Sequence, residues 1–179
     1  MRIGILALQG SVSEHIDSIK RLGAEAIEVK KPSDFSRLNG LIMPGGESTT
    51  LRKLLINSGL WNVINEKDIP IMATCAGTIL MGKCKDKTFR KMDFKVNRNH
   101  YGRQKDSFQR KIMLESGRSF RGVFIRAPSI DSIGKNITPI AWDEKKIVGC
   151  TSAKNMALTF HPELTNNLIF HQMWLDGFK

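Results

Sequence analysis

Three apolar runs in the first half of the chain each end in a glycine-containing loop that leads into a helical pattern. These loops are Gln9–Gly10, Pro44–Ser48 and Cys75–Gly77. Short apolar strands that alternate with helices are typical of a parallel sheet with helices on both faces. Because ligands bind beyond the carboxyl ends of the strands in such sheets, the three loops can line one crevice if the strand order brings them together.

The remaining elements are predicted from the spacing of apolar residues. Helical spacing recurs after each loop, and Ser11 and Glu14 have the spacing of a capping box. The pattern predicts strands at 3–8, 26–29, 40–43 and 69–74, with helices at 11–22, 48–57 and 78–83. After Cys84 it predicts short strand-like pieces at 94–96, 107–114, 122–126, 137–142, 146–150 and 157–160, and a final helix at 164–178.

This order of elements predicts an α/β fold with three layers, a mostly parallel sheet and additional antiparallel strands. A chain of 179 residues has the size of one ordinary domain, so we expect a single domain over residues 1–179. No apolar run approaches the ~20 residues of a membrane-spanning helix. The three cysteines are odd in number and lack C-x-x-C spacing, which argues against a disulfide framework and favours a reduced, cytoplasmic protein.

The positive charge is concentrated in one region. The net charge is +11, and residues 83–121 contain 13 basic residues and only four acidic ones. Such a region can bind nucleic acid, face an acidic partner protein or simply be solvated. The segment lacks the RNP, KH and zinc-finger patterns that arrange side chains for recognition of a nucleic acid, so we expect no nucleic-acid partner.

Cys75 is the candidate nucleophile. A sharp turn from strand into helix lifts this side chain clear of the sheet and presents it to the positive end of the helix, where a thiolate is favoured. The backbone N–H of Ala76 can donate to an oxyanion, as in the nucleophile elbow of hydrolases. The alternative is a buried structural cysteine, which is how we interpret Cys84 and Cys150.

The candidate base is His161, which begins a His-Pro-Glu tripeptide directly after an apolar strand. Proline favours an extended conformation at position 161, so the side chains of His161 and Glu163 point to the same side. The carboxylate can then accept the second ring N–H and fix the imidazole tautomer. The alternative is an exposed turn with an incidental glutamate. His15, His100 and His171 are interpreted as surface or packing residues.

The loop Pro44–Ser48 supplies consecutive glycines whose N–H groups can point toward an oxyanion or a carboxylate. Its alternative is a plain turn capped by Ser48. The spacing of a nucleotide-phosphate loop is missing, and no His or Cys pair has the spacing of metal ligands. We therefore expect neither a nucleotide nor a metal.

Six segments taken together resemble one family, the glutaminase subunits of pyridoxal 5'-phosphate synthase, which are class I glutamine amidotransferases. The likeness extends over nearly the whole chain, and its segments occur in matching order. These segments are Leu8–Gly10, Pro44–Thr50, Thr74–Gly77, Arg98–Gln104, Phe124–Pro128 and Phe160–Leu164.

The resemblance implies a flavodoxin-like fold and hydrolysis of L-glutamine to glutamate and ammonia. By it, the nucleophile, base and orienting acid match Cys75, His161 and Glu163. Further residues match the glutamine-binding positions of the family, and Gln9 and Ala76 are possible supporting residues. The matching glutamine-binding residues are Gly45, Gly46, Glu47, Arg98, Ile125 and Arg126.

Two substrate roles are our own inference from charge. Arg98 is expected to bind the α-carboxylate of glutamine, and Glu47 is expected to bind its α-ammonium group. The resemblance further implies that no cofactor is used and that a separate synthase subunit receives the ammonia. We expect part of the basic segment, including Lys105 and Arg110, to face that subunit.

Two alternatives remain open. The glutaminase could serve another synthase, for imidazole glycerol phosphate or purine synthesis. The second alternative is a non-catalytic α/β protein that has an inert Cys75 and a basic binding surface.

Overall fold

The computed structural model describes residues 1–98 and 107–178. A sheet of nine strands forms its centre, and two further strands pair separately. The strands are β1 (Arg2–Leu6), β2 (Glu25–Val29), β3 (Gly40–Met43), β4 (Ile71–Thr74), β5 (Phe94–Asn97), β6 (Phe108–Leu114), β7 (Ser119–Phe124), β8 (Ser129–Ile133), β9 (Thr138–Asp143), β10 (Lys146–Ser152) and β11 (Asn155–Leu158). The α-helices are α1 (Val12–Arg21), α2 (Ser48–Asn57), α3 (Leu60–Glu66), α4 (Ala76–Met81) and α5 (Ile169–Asp176).

The large sheet has the order β2-β1-β3-β4-β11-β10-β9-β6-β7. The first five strands in this order are parallel to one another, and every pairing from β11–β10 to β6–β7 is antiparallel. The predicted fold class, a mostly parallel sheet extended by antiparallel strands, is therefore confirmed. The strands β5 and β8 form a separate antiparallel pair.

The parallel strands are apolar on both faces because helices cover both. In β3, Ile42 contributes to one cluster of buried residues, whereas Leu41 and Met43 contribute to the other. The cluster on the side of Ile42 contains residues of α1 and α5, and the other contains residues of α2, α3 and α4. This arrangement is the predicted three-layer architecture, with the sheet in the middle.

Most predicted elements occur within a few residues of their expected places, and β3 and α2 have the predicted bounds. The pattern did not predict α3, β8 or the 3₁₀ turn Pro32–Phe35. The final helix is shorter than predicted: Leu164 belongs to a separate 3₁₀ turn, residues 165–168 are not helical, and α5 begins at Ile169. The capping box is wrong: Ser11 precedes α1, but its side chain makes no capping hydrogen bond.

Within residues 1–98 and 107–178, no helix combines the length and apolar character needed to cross a membrane. Two of the expectations for the basic segment, those for His100 and Lys105, concern positions outside the described residues. Arg110 lies on β6, and its guanidinium contacts the Asp143 carboxylate at 3.0 Å.

Candidate active site

Cys75 lies at the junction of β4 and α4, where the chain turns sharply. Its φ of 47° and ψ of −107° are unusual for a residue with a side chain, and such strain often marks a functional turn. Hydrogen bonds hold the turn in place, since the N–H of Cys75 and the hydroxyl of Thr78 both donate to the carbonyl of Leu158, at 2.9 and 2.6 Å. The predicted strand-to-helix junction is thus present.

The glycine after the turn permits a close approach between α4 and the sheet. A Cβ at Gly77 would collide with the carbonyl oxygen of Met43 in the adjacent strand β3. This position therefore requires glycine, as the sequence pattern indicates.

Strand order brings His161 to the same edge of the sheet as Cys75. The strands β4 and β11 are parallel neighbours, with Thr74 paired to Leu158. Cys75 directly follows the first of these strands, and His161 follows the second by three residues. Their carboxyl ends meet at one edge, so the two residues are neighbours in space although they are far apart in sequence.

Gly45 lies between the thiol and the imidazole. A Cβ on this residue would stand 3.0 Å from the Cβ of Cys75, 2.6 Å from Cε1 of His161 and 3.3 Å from its Nε2. The Gly45 backbone therefore packs directly against the side chains of both Cys75 and His161. Only glycine permits this close approach, because a Cβ would collide with the imidazole.

Gln9 supports the glycine loop from below. Its amide nitrogen donates to the carbonyl of Glu47 at 2.8 Å, and a Cβ on Gly46, where φ is 128°, would lie 2.6 Å from that nitrogen. A Cβ on Gly10 would collide with the carbonyl oxygen of Gly45. All three loops identified in the sequence thus converge at one edge of the sheet.

His161 and Glu163 form a buried pair, with 2.7 Å between Nδ1 and Oε1. The predicted pairing is observed, but its predicted cause is wrong. The residues Pro162–Leu164 form a 3₁₀ turn, so the two side chains meet across this turn and not through the alternation of an extended strand.

The surroundings of this pair favour its charged form. Burial opposes charge on the imidazole, but the interactions with Cys75 and Glu163 raise the pKa of His161 to about 10. Burial likewise opposes charge on the carboxylate, but the neighbouring His15 and His161 lower the pKa of Glu163 to about 2. At neutral pH the pair is therefore an imidazolium facing a carboxylate.

The thiol and the imidazole are close, but they do not form a regular hydrogen bond with each other. The Cys75 thiol donates to the carbonyl of Ile125 at 3.5 Å. Nε2 of His161 is buried and has no hydrogen-bond partner among the described residues. Hydrogen bonds between catalytic groups are often long or poorly aligned without substrate, so this geometry is compatible with a working pair.

The Glu47 side chain has a task that the sequence did not reveal. Its carboxylate caps α2 by accepting from the N–H groups of Thr49 and Thr50, at 2.9 and 2.7 Å, and from the hydroxyl of Thr50 at 2.8 Å. Although partial burial opposes charge, these hydrogen bonds lower the pKa of Glu47 to about 2. The cap uses part of the acceptor capacity of this carboxylate, whose side chain is 56% exposed.

Arg98 is also engaged. Its guanidinium contacts the carboxylate of Asp86, donates to the hydroxyl of Thr49 at 2.8 Å and lies 3.4 Å from Glu47. Asp86 is a further residue of this surface that the sequence did not indicate. A glutamine carboxylate that binds Arg98 has to share the guanidinium with this aspartate or displace it.

The Ile125–Arg126 pair lies just beyond β7, on the other side of the thiol. Arg126 is exposed and has a φ of 45°, the second positive φ near Cys75. The carbonyl of Ile125 accepts from the thiol, as described above, and its side chain is 38% exposed. The structure therefore places the Ile125 backbone in contact with Cys75, next to an exposed Arg126.

His15 and His171 contradict part of their interpretation. Neither is a surface residue, since both are fully buried. Nδ1 of His15 lies 3.0 Å from Nε2 of His171, and Nε2 of His15 lies 3.5 Å from Oε2 of Glu163. A signal for their burial does exist in the sequence: His15 lies three residues after Val12 and four before Ile19, on the apolar face of α1.

The two remaining cysteines, Cys84 and Cys150, lie outside this site. Cys150 is buried in β10, and burial raises the pKa of its thiol to about 12. Cys84 is partly buried, and all three cysteines are free thiols. Among the described residues, no group of three or more His, Cys, Asp or Glu side chains could hold a metal ion.

Comparison with known proteins places this geometry in a family. The profile of the SNO glutamine amidotransferase family matches residues 5–179. The chain is 46% identical to the pyridoxal 5'-phosphate synthase subunit PdxT of Dictyoglomus turgidum, with 98% of this chain and 97% of the relative covered. It is 45% identical to the subunit of the same name from Methanocaldococcus jannaschii, with 100% and 94% covered.

Solved structures agree with the sequence relatives. One described as a crystal structure of glutamine amidotransferase superimposes with a TM-score of 0.90 at 37% identity. The superposition covers 98% of this chain and 97% of that one.

Proposed function

Because the chain belongs to the SNO glutamine amidotransferase family, we propose that it is the glutaminase subunit of a pyridoxal 5'-phosphate synthase. Its reaction is the hydrolysis of L-glutamine to L-glutamate and ammonia. The observation that carries the proposal is the meeting of Cys75 with the His161–Glu163 pair at the carboxyl ends of β4 and β11, with the Gly45 backbone packed against both Cys75 and His161. A whole-chain identity of 46% to a subunit of that name supports the choice of pathway.

Cys75 acts as the nucleophile in this proposal. An imidazolium next to the sulfur stabilises the thiolate, and the raised pKa of His161 keeps this imidazole protonated at neutral pH. The thiolate attacks the side-chain amide carbon, forming the S–C bond, and the C–N bond breaks as Nε2 of His161 gives its proton to the leaving ammonia. Water, deprotonated by the now neutral imidazole, then attacks the glutamyl thioester, the C–S bond breaks, and the starting pair of thiolate and imidazolium is regenerated as glutamate leaves.

Glu163 has the role of the orienting acid. Its Oε1 lies 2.7 Å from Nδ1 of His161, so it fixes the ring with Nε2 toward the substrate and stabilises the charged ring. Removal of this carboxylate would leave the imidazole free to rotate and less often protonated.

Backbone N–H groups stabilise the oxyanion that develops on the amide oxygen when the thiolate attacks the carbon. The candidates are the N–H of Ala76, at the start of α4, and an N–H of the Gly45–Gly46 loop. The glycines allow the loop to come this close to the thiol, and Gln9 holds it there through its hydrogen bond to the Glu47 carbonyl. Gln9 and Ala76 are thus supporting residues.

The α-carbon end of glutamine binds on the far side of the loop. We propose that Arg98 attracts its carboxylate and that the Ile125–Arg126 pair lines the opposite wall. Arg98 is paired with Asp86, so the substrate carboxylate shares the guanidinium with this aspartate or displaces it. The Glu47 carboxylate caps α2 and retains acceptor capacity for the substrate ammonium group, because a carboxylate can accept about four hydrogen bonds.

The ammonia is passed to a synthase subunit, and no cofactor is part of this reaction. The names of the relatives favour pyridoxal phosphate synthesis over an imidazole glycerol phosphate or purine synthase. We place the whole chain in one glutaminase domain, because β11, near its end, pairs with β4 from its first half. The three free thiols support a cytoplasmic location.

Glutamate release in the presence of different synthase subunits tests this function. Adding the pyridoxal 5'-phosphate synthase subunit from the same organism should stimulate the reaction, whereas an imidazole glycerol phosphate synthase subunit should not. Stimulation by the second and not the first would transfer the chain to the other pathway. If neither subunit yields glutamate, the glutaminase proposal is wrong.

A further inference from the structure

Two buried histidines lie behind Glu163, on the side away from His161. His15 comes from α1 and His171 from α5, and neither side chain is accessible to solvent. Nε2 of His15 lies 3.5 Å from Oε2 of Glu163 and 3.4 Å from the hydroxyl of Thr74. Nδ1 of His15 lies 3.0 Å from Nε2 of His171. The side chains of His161, Glu163, His15 and His171 thus form a continuous series of contacts that leads from the candidate active site into the core.

The contacts determine where the protons lie. Oε2 of Glu163 is buried and has no regular hydrogen-bond partner among the described residues, so His15 provides the nearest N–H group. A carboxylate favours a donor, which puts the proton of neutral His15 on Nε2 and leaves its Nδ1 as an acceptor. Nε2 of His171 must then carry a proton and donate it to His15.

The surroundings of His171, the last group in this series of contacts, fit this assignment. With a proton on Nε2, Nδ1 of neutral His171 is an unprotonated acceptor, and this atom is buried without a partner among the described residues. An unused lone pair is tolerated inside proteins more often than an unused N–H group. The alternative tautomers would bury an unpaired N–H at this position.

Burial disfavours the charged form of both rings. Burial lowers the pKa of His15, and burial together with the neighbouring His15 lowers the pKa of His171 to about 3. The charged groups that act on His15 are Glu163 and His161 from the turn after β11 and Glu14 from its own helix. A neutral ring can orient the carboxylate without competing with His161 for its charge.

We propose that His15 is a positioning residue for Glu163, holding the carboxylate against His161, and that His171 fixes the tautomer in which His15 does so. The inference rests on the proposed function, because it assigns a role in the same glutaminase reaction. Residues behind a catalytic group typically change activity by about 10- to 100-fold. His15 touches no substrate, so its loss should lower kcat and leave KM unchanged.

The variants His15→Leu and His15→Gln test this role. Leucine removes the N–H, whereas glutamine retains an N–H at similar reach, so the leucine variant should lose about 10- to 100-fold in kcat and glutamine should restore most of it. Since a carboxylate without its donor protonates more readily, the acidic limb of the kcat/KM profile of His15→Leu should shift to higher pH. His171→Leu should show the same changes, less strongly.

Ile19→Ala provides the control for simple destabilisation, because Ile19 is fully buried in the same helix. This variant should unfold at a lower temperature with kcat and the pH profile of the wild type. If it lowers kcat as much as His15→Leu does, or if His15→Leu keeps wild-type kcat and pH profile, the positioning role is wrong.

A measurement without substrate separates this inference from the proposed function. The proton shared by His161 and Glu163 should give a downfield NMR signal in the wild type that shifts or broadens in His15→Leu and is retained in His15→Gln. An unchanged signal in His15→Leu would contradict the inference even in a chain that proves to have no glutaminase activity. Conversely, absence of glutamate release from the wild type would contradict only the proposed function.

Discussion

Cys75 and Cys150 are both buried free thiols, but they belong to very different regions of the molecule. Cys150 lies in the middle of β10, paired with Ala157 and Pro139 on the neighbouring strands. Cys75 lies where β4 ends, with a positive φ, a glycine loop above it and an imidazole beside it. Cys75 is 4% exposed and Cys150 is fully buried, so solvent accessibility alone does not distinguish the two residues.

The difference lies in what surrounds each sulfur. In the middle of a strand the backbone groups are paired and the neighbours are apolar, so burial raises the pKa of the Cys150 thiol to about 12. At the carboxyl end of a parallel strand, free N–H groups and side chains from adjacent loops can converge. The predictions below contrast the loop end of the sheet with its interior.

The largest expected effect comes from the two cysteines themselves. Cys75→Ala should lower glutamate release by at least about 10³-fold, because it removes the group that forms the covalent bond. Cys150→Ala should leave kcat unchanged and lower only the thermal stability. Steady-state assays of glutamate release, with the synthase subunit present, compare the two variants. Equal losses of activity would show that Cys75 has no special role.

A pair of glycines gives the next largest effect. Gly45→Ala places a methyl group 2.6 Å from Cε1 of His161 and should lower the kcat of the folded fraction by about 10²-fold, in addition to a loss of stability through overpacking. Gly149→Ala, next to Cys150, places a methyl group 2.9 Å from Leu158 and 3.1 Å from Ala141. It should cost about 1–3 kcal/mol of unfolding free energy through overpacking, and the folded fraction should keep wild-type kcat. Denaturation curves and kinetics together separate the two, and the reverse pattern would contradict the account.

His171 in the interior and His161 at the loop end of the sheet should affect the pH dependence of stability in different pH ranges. His171 has a folded pKa of about 3 against an ordinary value of 6.5, so the unfolded chain binds more protons as the pH falls from 6.5. Stability should therefore decrease between pH 6.5 and 4.5, by a few kcal/mol at most, and this decrease should be smaller in His171→Gln. For His161, whose pKa is raised to about 10, the contribution is complete below pH 6.5 and is lost as the pH rises toward 10.

Denaturant titrations at several pH values measure this dependence. The acid side below pH 4.5 is left out because protonation of Glu163, with its lowered pKa of about 2, begins to destabilise the fold there. A wild-type stability that is constant between pH 4.5 and 6.5 would show that the buried histidines are not held neutral.

The smallest effect concerns the cap of α2. Glu47→Ala removes the acceptor for two backbone N–H groups and should lower the unfolding free energy by about 1 kcal/mol. Asn57→Ala, at the opposite, exposed end of the helix, should have no such effect. Denaturation curves measure both, and equal stabilities of the two variants would show that the carboxylate is not a cap in solution.

Much of the parallel region could be predicted from the sequence, because its signals are local. The apolar run before Pro44 and the helical spacing after Glu47 fix the bounds of β3 and α2. The position of Cys75 between a strand and a helix follows from the same kind of pattern. The antiparallel region was predicted less well, since short strands such as β8 have no periodicity long enough to detect.

What could not be predicted depends on contacts between distant segments. The pairing of β4 with β11 brings His161 to Cys75, and strand order is not encoded in local spacing. The same limit applies to Asp86, which reaches Arg98 from a loop without any motif. His15 is different: its position on the apolar face of α1 indicates burial, but the contact with Glu163 requires the fold.

The central claim is that Cys75 and His161 work as a pair in one glutamine site, and an alkylating analogue of glutamine tests it most directly. Peptide mapping after treatment with a chloroketone or diazoketone analogue should find the label on Cys75 and not on Cys84 or Cys150. Glutamine should protect against labelling, and His161→Ala should slow it strongly. Label on another cysteine, or a labelling rate at Cys75 that is the same with and without the imidazole, would contradict the claim.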